Sequence, residues 1–232
     1  MGVQYCMAYR TVPILAYHKT PRDFADQIDL LLDEGYSLVN LKEIRDYLER
    51  PEATAFPEKK AVITFDDAFM DFFKAQRILE ERGLVGKATL AVPMSWVSLT
   101  AGARFGGPRS PTMTWKELRK LKDKGYEIIA HSVTHRPHDQ FDTDHAILEY
   151  EMAVSRTLLK TQLGLDELLF YCLPGGAGWG KELVSKTLQE TGFVGALRAQ
   201  YGGEEWDRYS IPRCCPIIKQ HVEGLLENFR FP

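Results

Sequence analysis

Residues 60–67 read KAVITFDD, an apolar, β-branched run that ends in two adjacent carboxylates, Asp66 and Asp67. A run this short and this rich in Val, Ile and Phe reads as a buried strand. The FFKAQRILEERG that follows at 72–83 reads as a helix, with Gly83 as its stop. Strand, short turn and helix make one unit of an α/β fold. The pair of acids needs a reason, because like charges side by side repel. Either the turn is solvated, or a cation neutralises one carboxylate while its neighbour stays ionised.

Outward from this unit the alternation repeats. TVPILAY (11–17) reads as a buried strand. PRDFADQIDLLLDEGY (21–36) reads as a helix, with Phe24, Ile28, Leu31 and Leu32 on one stripe and Gly35 at its end. SLVNL is a short strand, and LKEIRDYLER a helix stopped by Pro51. GKATLAVP (86–93) is a strand, and MSWVSLTAGARFGGPRSP (94–111) a loop long enough to rim a pocket. In the helix TMTWKELRKLKDKG, Thr114 and Glu117 have the spacing of a capping box. YEIIAHS is a strand, and DHAILEYEMAVSRTLLKTQLG (144–164) reads as one long helix. LLFYCLP is a strand entering a glycine-rich turn, KELVSKTLQETG a helix, FVGALRA a strand and HVEGLLENF a helix. About seven strand–helix units follow one another without a linker or repeat. The expectation is an α/β fold, a barrel of about seven parallel strands forming one domain over residues 1–232. In such a fold the polar residues to watch stand at the carboxyl ends of strands.

The chain has 232 residues and is 44% hydrophobic, enough to bury a core without staples. Its net charge of −3 and lack of a Lys/Arg cluster speak against nucleic acid or an anionic membrane as partner. No run reaches the ~18 apolar residues of a membrane span. The four cysteines have no zinc-knuckle or disulfide spacing, so reduced thiols are expected. With no signal-peptide pattern at the start, a cytoplasmic location is expected, or an extracellular or periplasmic one if the chain has been trimmed. Oligomeric state is not legible.

Four polar sites follow strands: Tyr17-His18-Lys19, Asp66-Asp67, His131 with His135, and Pro174-Gly175-Gly176. On a helical turn His131 and His135 would share a face and reach one cation. With Asp67 they would make a two-histidine, one-carboxylate set that leaves positions open for water and substrate. Zinc is the ion favoured by these ligands, and cobalt, nickel or iron could take the same place. Asp66, beside a neutralised Asp67, would then be free to act as base. His138 reads as a solvated loop histidine, and Cys172 as a small hydrophobe. Of Trp96, Trp115 and Trp179, the last is expected to line the pocket, and Trp115 to pack in the core.

The segments VPILAYH, VITFDDAFMD, GYEIIAHSVTH and FYCLPGG occur here in the order and spacing of the polysaccharide deacetylase family, carbohydrate esterase family 4. The chain resembles that family from about residue 12 to 213, including EYEMAVSRTLLKTQLG and RYSIPR. The resemblance implies a distorted (β/α) barrel and metal-dependent removal of acyl groups from amide nitrogen, N-acetyl groups on sugars above all. It puts Asp67, His131 and His135 at the metal and Asp66 at the general base. Pro174, Gly175 and Gly176 fall where a backbone amide holds the oxyanion. For the catalytic acid His18 is preferred over His221. Two departures stand out: Ala68 replaces the usual glycine after the acids, and the third box, YCLPGG, lacks its usual arginine. Arg198 or Arg213 could orient the base instead, and the PGG form looks like a branch of the family.

Two rival readings remain open. The same barrel resembles hydrolases of small cyclic amides and ureides, some without metal, and the missing export signal favours that reading. A non-catalytic carbohydrate-binding relative is the other, supported by the missing arginine. The partner expected is a carbohydrate or a small amide.

Overall fold

The computed structural model describes residues 12–50, 53–55, 57–100, 107–165, 167–199, 207–216 and 218–229. Seven strands form one parallel sheet: β1 (Ile14–Tyr17), β2 (Ser37–Leu38), β3 (Lys60–Asp66), β4 (Thr89–Val92), β5 (Glu127–Ala130), β6 (Phe170–Cys172) and β7 (Gly195–Leu197). Their order is β1-β3-β4-β5-β6-β7, with β2 paired to the first two residues of β3. The helices between and after them are α1 (Phe24–Asp33), α2 (Arg45–Glu49), α3 (Phe72–Glu81), α4 (Trp115–Asp123), α5 (His145–Glu149), α6 (Ser155–Leu163), α7 (Glu182–Glu190) and α8 (Lys219–Phe229). Thr114 and Glu117 form the expected capping box at the start of α4. Cys6, at the chain start, lies outside the described residues.

The two edges of the sheet are bridged by a short extended segment. Ile211 N–H donates to Ala196 O at 2.8 Å, and Arg198 N–H to Ile211 O at 2.9 Å. Three residues on, Cys214 N–H donates to Ile14 O at 2.8 Å, and Ala16 N–H to Cys214 O at 2.7 Å. The segment therefore stands between β7 and β1 and turns the sheet into a distorted barrel.

Alternation along the strands sorts the core into two layers. Ile14, Val62, Ala91, Ile129, Phe170, Cys172, Leu197 and Ile211 form one cluster within the barrel, joined by Leu41, Ile44 and Leu48. Leu15, Tyr17, Ile63, Phe65, Leu90 and Val92 face the other way and pack against Ile28, Phe72, Leu79 and Leu118 of the helices. Each such side chain, fully buried, contributes about 1.5–3 kcal/mol. The same alternation puts Asp66 on the inward face of β3 with Val62 and Thr64, while Phe65 enters the aromatic contacts with Tyr17 and Phe72.

The stretch 144–164 departs from the single helix expected. It is α5 and α6 joined by a π-helical turn, Tyr150–Val154. The extra residue in that turn shifts the register of everything before it relative to α6.

Candidate active site

Asp66 and Asp67 are 3% and 5% exposed, where β3 opens into its turn. Asp67 and Ala68 both adopt left-handed backbone, φ 72° and 51°, so the chain reverses sharply enough to present two successive carboxylates to one place. A glycine would take the Ala68 conformation without the ~1–2 kcal/mol that a Cβ adds there.

Asp66 is gripped by Arg213. Both guanidinium ends donate to it, Nη1 to Oδ1 at 2.8 Å and Nη2 to Oδ2 at 2.7 Å, while Nη1 also reaches Thr64 Oγ1 at 3.0 Å. Burial alone would raise the Asp66 pKa. The Arg213 charge and hydrogen bonds, helped by His131 and His18, outweigh it and hold the carboxyl well below its usual range. Of the two arginines the sequence offered, Arg213 is the one whose side chain reaches Asp66. Arg198 makes no side-chain hydrogen bond to Asp66. It serves only through its carbonyl, which accepts from Arg213 Nε at 3.1 Å, while its guanidinium lies over the Trp179 ring.

His131 and His135 converge with Asp67 without the help of a helical turn. They stand on an irregular turn after β5 in which Ser132 and His135 have φ of 66° and 62°. Three contacts force that turn. Glu151, on the π-helical turn and 3% exposed, accepts from Val133 N–H at 2.8 Å and Thr134 N–H at 2.9 Å with one oxygen, and from Thr134 Oγ1 with the other at 2.6 Å. Ser132 Oγ accepts from His135 N–H at 2.9 Å. Met94 and Ser95 N–H groups hold the carbonyls of Ser132 and Val133. The Trp96 ring then lies 4.1 Å from that of His135.

The donor atoms of the three residues face one another. His135 Nε2 is 3.0 Å from Asp67 Oδ1, His131 Nε2 is 3.7 Å from it, and the two ring nitrogens are 3.2 Å apart. His131 Nδ1 lies 2.8 Å from Cys172 O, which can only accept, so Nδ1 carries the proton and Nε2 offers a lone pair. Burial pushes the His131 ring down to about 4, against the pull of Asp66, which keeps it a neutral donor near neutral pH. Asp67 Oδ1 is buried and satisfies no hydrogen bond. A buried carboxylate oxygen without a hydrogen bond, 3.0 Å from His135 Nε2 and facing the lone pair of His131 Nε2, is unfavourable unless a cation lies between them, and the three residues fit a divalent metal. Asp66, His131 and Cys172 form a second close group, but both Asp66 oxygens are already engaged by Arg213.

His18 directly follows β1, whose register pairs Tyr17 with Phe65, so it stands beside Asp66, exposed at the barrel mouth. His221 lies exposed on α8, a helix packed against α1. In the 3₁₀ turn Pro174–Gly176, Gly176 N–H is spent on Leu173 O at 3.0 Å and Pro174 has none. Of that tripeptide only the Gly175 amide is left to face a ligand. Gly176 has another duty: a Cβ there would stand 2.6 Å from that of Ala199. Trp179 is 41% exposed at the rim, while Trp115 is half-buried against the core.

His138 corrects an expectation. It is fully buried, not solvated, with Nε2 2.8 Å from Tyr171 Oη, and burial pushes its pKa down to about 4. Glu151 had escaped notice, yet its position on the stripe of Leu148, Met152, Ser155 and Leu159 marks a carboxylate that must be buried and bonded. That is the signal that could have found it.

A barrel with a carboxylate–arginine pair beside a two-histidine, one-carboxylate cluster is suited to metal-assisted hydrolysis. The polysaccharide deacetylase family profile matches residues 53–196, and the chain belongs to that family. It is accordingly a hydrolase of carbon–nitrogen bonds other than peptide bonds, a deacetylase. Several solved structures share the fold. A Streptococcus pyogenes deacetylase, PplD, in complex with acetate is 21% identical with a TM-score of 0.75, the match covering 95% of this chain and 98% of that one. IcaB from Ammonifex degensii is 19% identical at a TM-score of 0.78, again over 95% and 98%. A de-N-acetylase from Aggregatibacter actinomycetemcomitans is 18% identical at 0.72, over 94% and 99%. No curated protein matches this chain.

Proposed function

We propose that the protein removes N-acetyl groups from amino sugars of a poly- or oligosaccharide in a metal-dependent reaction. The observation that carries this reading is the convergence of Asp67, His131 and His135 next to an Asp66 held ionised by Arg213. Asp67, His131 and His135 would hold a divalent ion, zinc by preference and cobalt, nickel or iron as substitutes, which would supply Lewis acidity to water and to the acyl carbonyl. Asp66 accepts the proton of the attacking water. Its lone pairs are oriented, and its protonation between turnovers opposed, by the Arg213 fork. The Gly175 amide donates to the oxyanion. His18, exposed beside Asp66, delivers the proton that the departing amine requires. Trp179 offers a face to the sugar ring.

The rival of a non-catalytic relative rested on the missing arginine, and Arg213 removes that support. The test pairs elemental analysis of the purified protein with acetate release from N-acetylglucosamine oligomers, beside a panel of cyclic ureides. About one metal per chain is expected, with acetate lost on chelation and restored by zinc. Ring opening of a ureide without acetate release would replace this reading with the cyclic-amide one.

A further inference from the structure

Arg198 directly follows β7 at the barrel mouth, and its carbonyl is the acceptor for the Arg213 that grips Asp66. Its neighbour Ala199 touches the Pro174–Gly176 turn through Gly176. The Arg198 side chain is 5% exposed, yet its guanidinium makes no ion pair and its Nε no hydrogen bond among the described residues. What it does have is Trp179, whose ring centroid lies 4.3 Å from Cζ and which is itself 41% exposed. Asp207 acts on it through its charge, without a hydrogen bond between them, and accepts from Tyr209 N–H at 2.8 Å. Burying a cation with no anion in contact is unfavourable, so such a group is open to a ligand that supplies one. A guanidinium offers a flat fork of donors suited to carboxylate or phosphate.

We propose that Trp179 and Arg198 form a subsite for an anionic sugar unit, the indole taking the ring face and the guanidinium a carboxylate or phosphate carried by the unit next to the one deacetylated. The inference deepens the deacetylase reading and rests on it for the position of the acylated sugar. It makes the preferred glycan an acidic one, recognised by a protein whose own net charge is −3.

Three probes test it: a neutral N-acetylglucosamine tetramer, the same tetramer carrying a carboxymethyl ether, and one carrying a 6-phosphate. The native protein is expected to favour one or both charged tetramers over the neutral one by about ten- to hundredfold in kcat/KM, the value of a charge-assisted hydrogen bond. Arg198→Met collapses that ratio, Arg198→Lys keeps part of it, and Trp179→Ala raises KM for all three tetramers alike. Which charged tetramer wins separates carboxylate from phosphate. Calorimetric affinities for the same probes need no turnover, so they decide the subsite even if no acetate appears. Equal affinity for all three tetramers in the native protein overturns the subsite while leaving acetate release intact. A ratio unchanged in Arg198→Met overturns Arg198 as its source.

Discussion

Asp66 and Arg213 are each inert without the other. A carboxylate inside the barrel would take up a proton, and a lone guanidinium there would be a buried, uncompensated charge. Paired, they give an ionised acid of fixed orientation. Asp66→Asn is expected to keep metal at Asp67, His131 and His135 while turnover falls by about 10²–10⁴, the usual worth of a general base, checked by metal content beside acetate release. Arg213→Gln, which strands the carboxylate, is expected to cost about 3–5 kcal/mol in urea unfolding. His138 shows the opposite electrostatic case. Its folded pKa of about 4 lies below the ordinary 6.5, chiefly through burial. The unfolded chain therefore takes up a proton between those values while the folded one does not. Stability contributed by the neutral ring is full above pH 6.5 and is lost as pH falls towards 4, by up to about 3 kcal/mol. His138→Gln should flatten that part of the slope, seen as urea midpoints that change less between pH 7 and 4.5 than those of the native protein, both with chelator present.

Among the elements, the strands were plain in the sequence and the histidine turn was not, for one physical reason. A strand such as VITF announces itself through side chains that must be buried, whereas the turn at 131–135 depends on left-handed backbone at Ser132 and His135, which few non-glycine residues adopt unaided. The conformation is imposed from outside, by Glu151 on a π-helical turn 18 and 17 positions along the chain from the Val133 and Thr134 amides it accepts from. That turn was invisible too, because apolar periodicity continues through a π-bulge with a change of register and no break. The dependence can be measured. Glu151→Gln puts an amide N–H₂ where one carboxylate oxygen now accepts, so at least one donor of the turn loses its partner. A loss of about 2–3 kcal/mol in thermal unfolding is expected, with zinc affinity weakened about 10–100-fold as ligands lose their support. Unchanged zinc affinity in a destabilised variant would leave Glu151 a purely structural residue.

For the molecule as a whole, the feature that ties fold to chemistry is the segment at 211–214, which bonds to both β7 and β1 and carries Arg213 to Asp66, 147 positions away in sequence. No local pattern announces such a contact: the sequence narrowed the choice to Arg198 and Arg213, and only the path of the closing segment separates them. Barrel closure and orientation of Asp66 are then one event, and they should fail together. Ile211 is 1% exposed in the inner cluster and bonds through its backbone to β7 two residues before Arg213. Leu79, fully buried on α3, belongs to the outer layer. Truncating either to Ala should cost about 2–5 kcal/mol in urea unfolding, the usual range for a buried aliphatic side chain. Only Ile211→Ala should also lower kcat, by about tenfold or more, because a small shift of Arg213 misplaces the carboxylate it holds. Measured at a temperature where both variants are fully folded, equal kcat values would mean that the barrel closes without setting Asp66, and Arg213 would then owe its position to Asp66 alone.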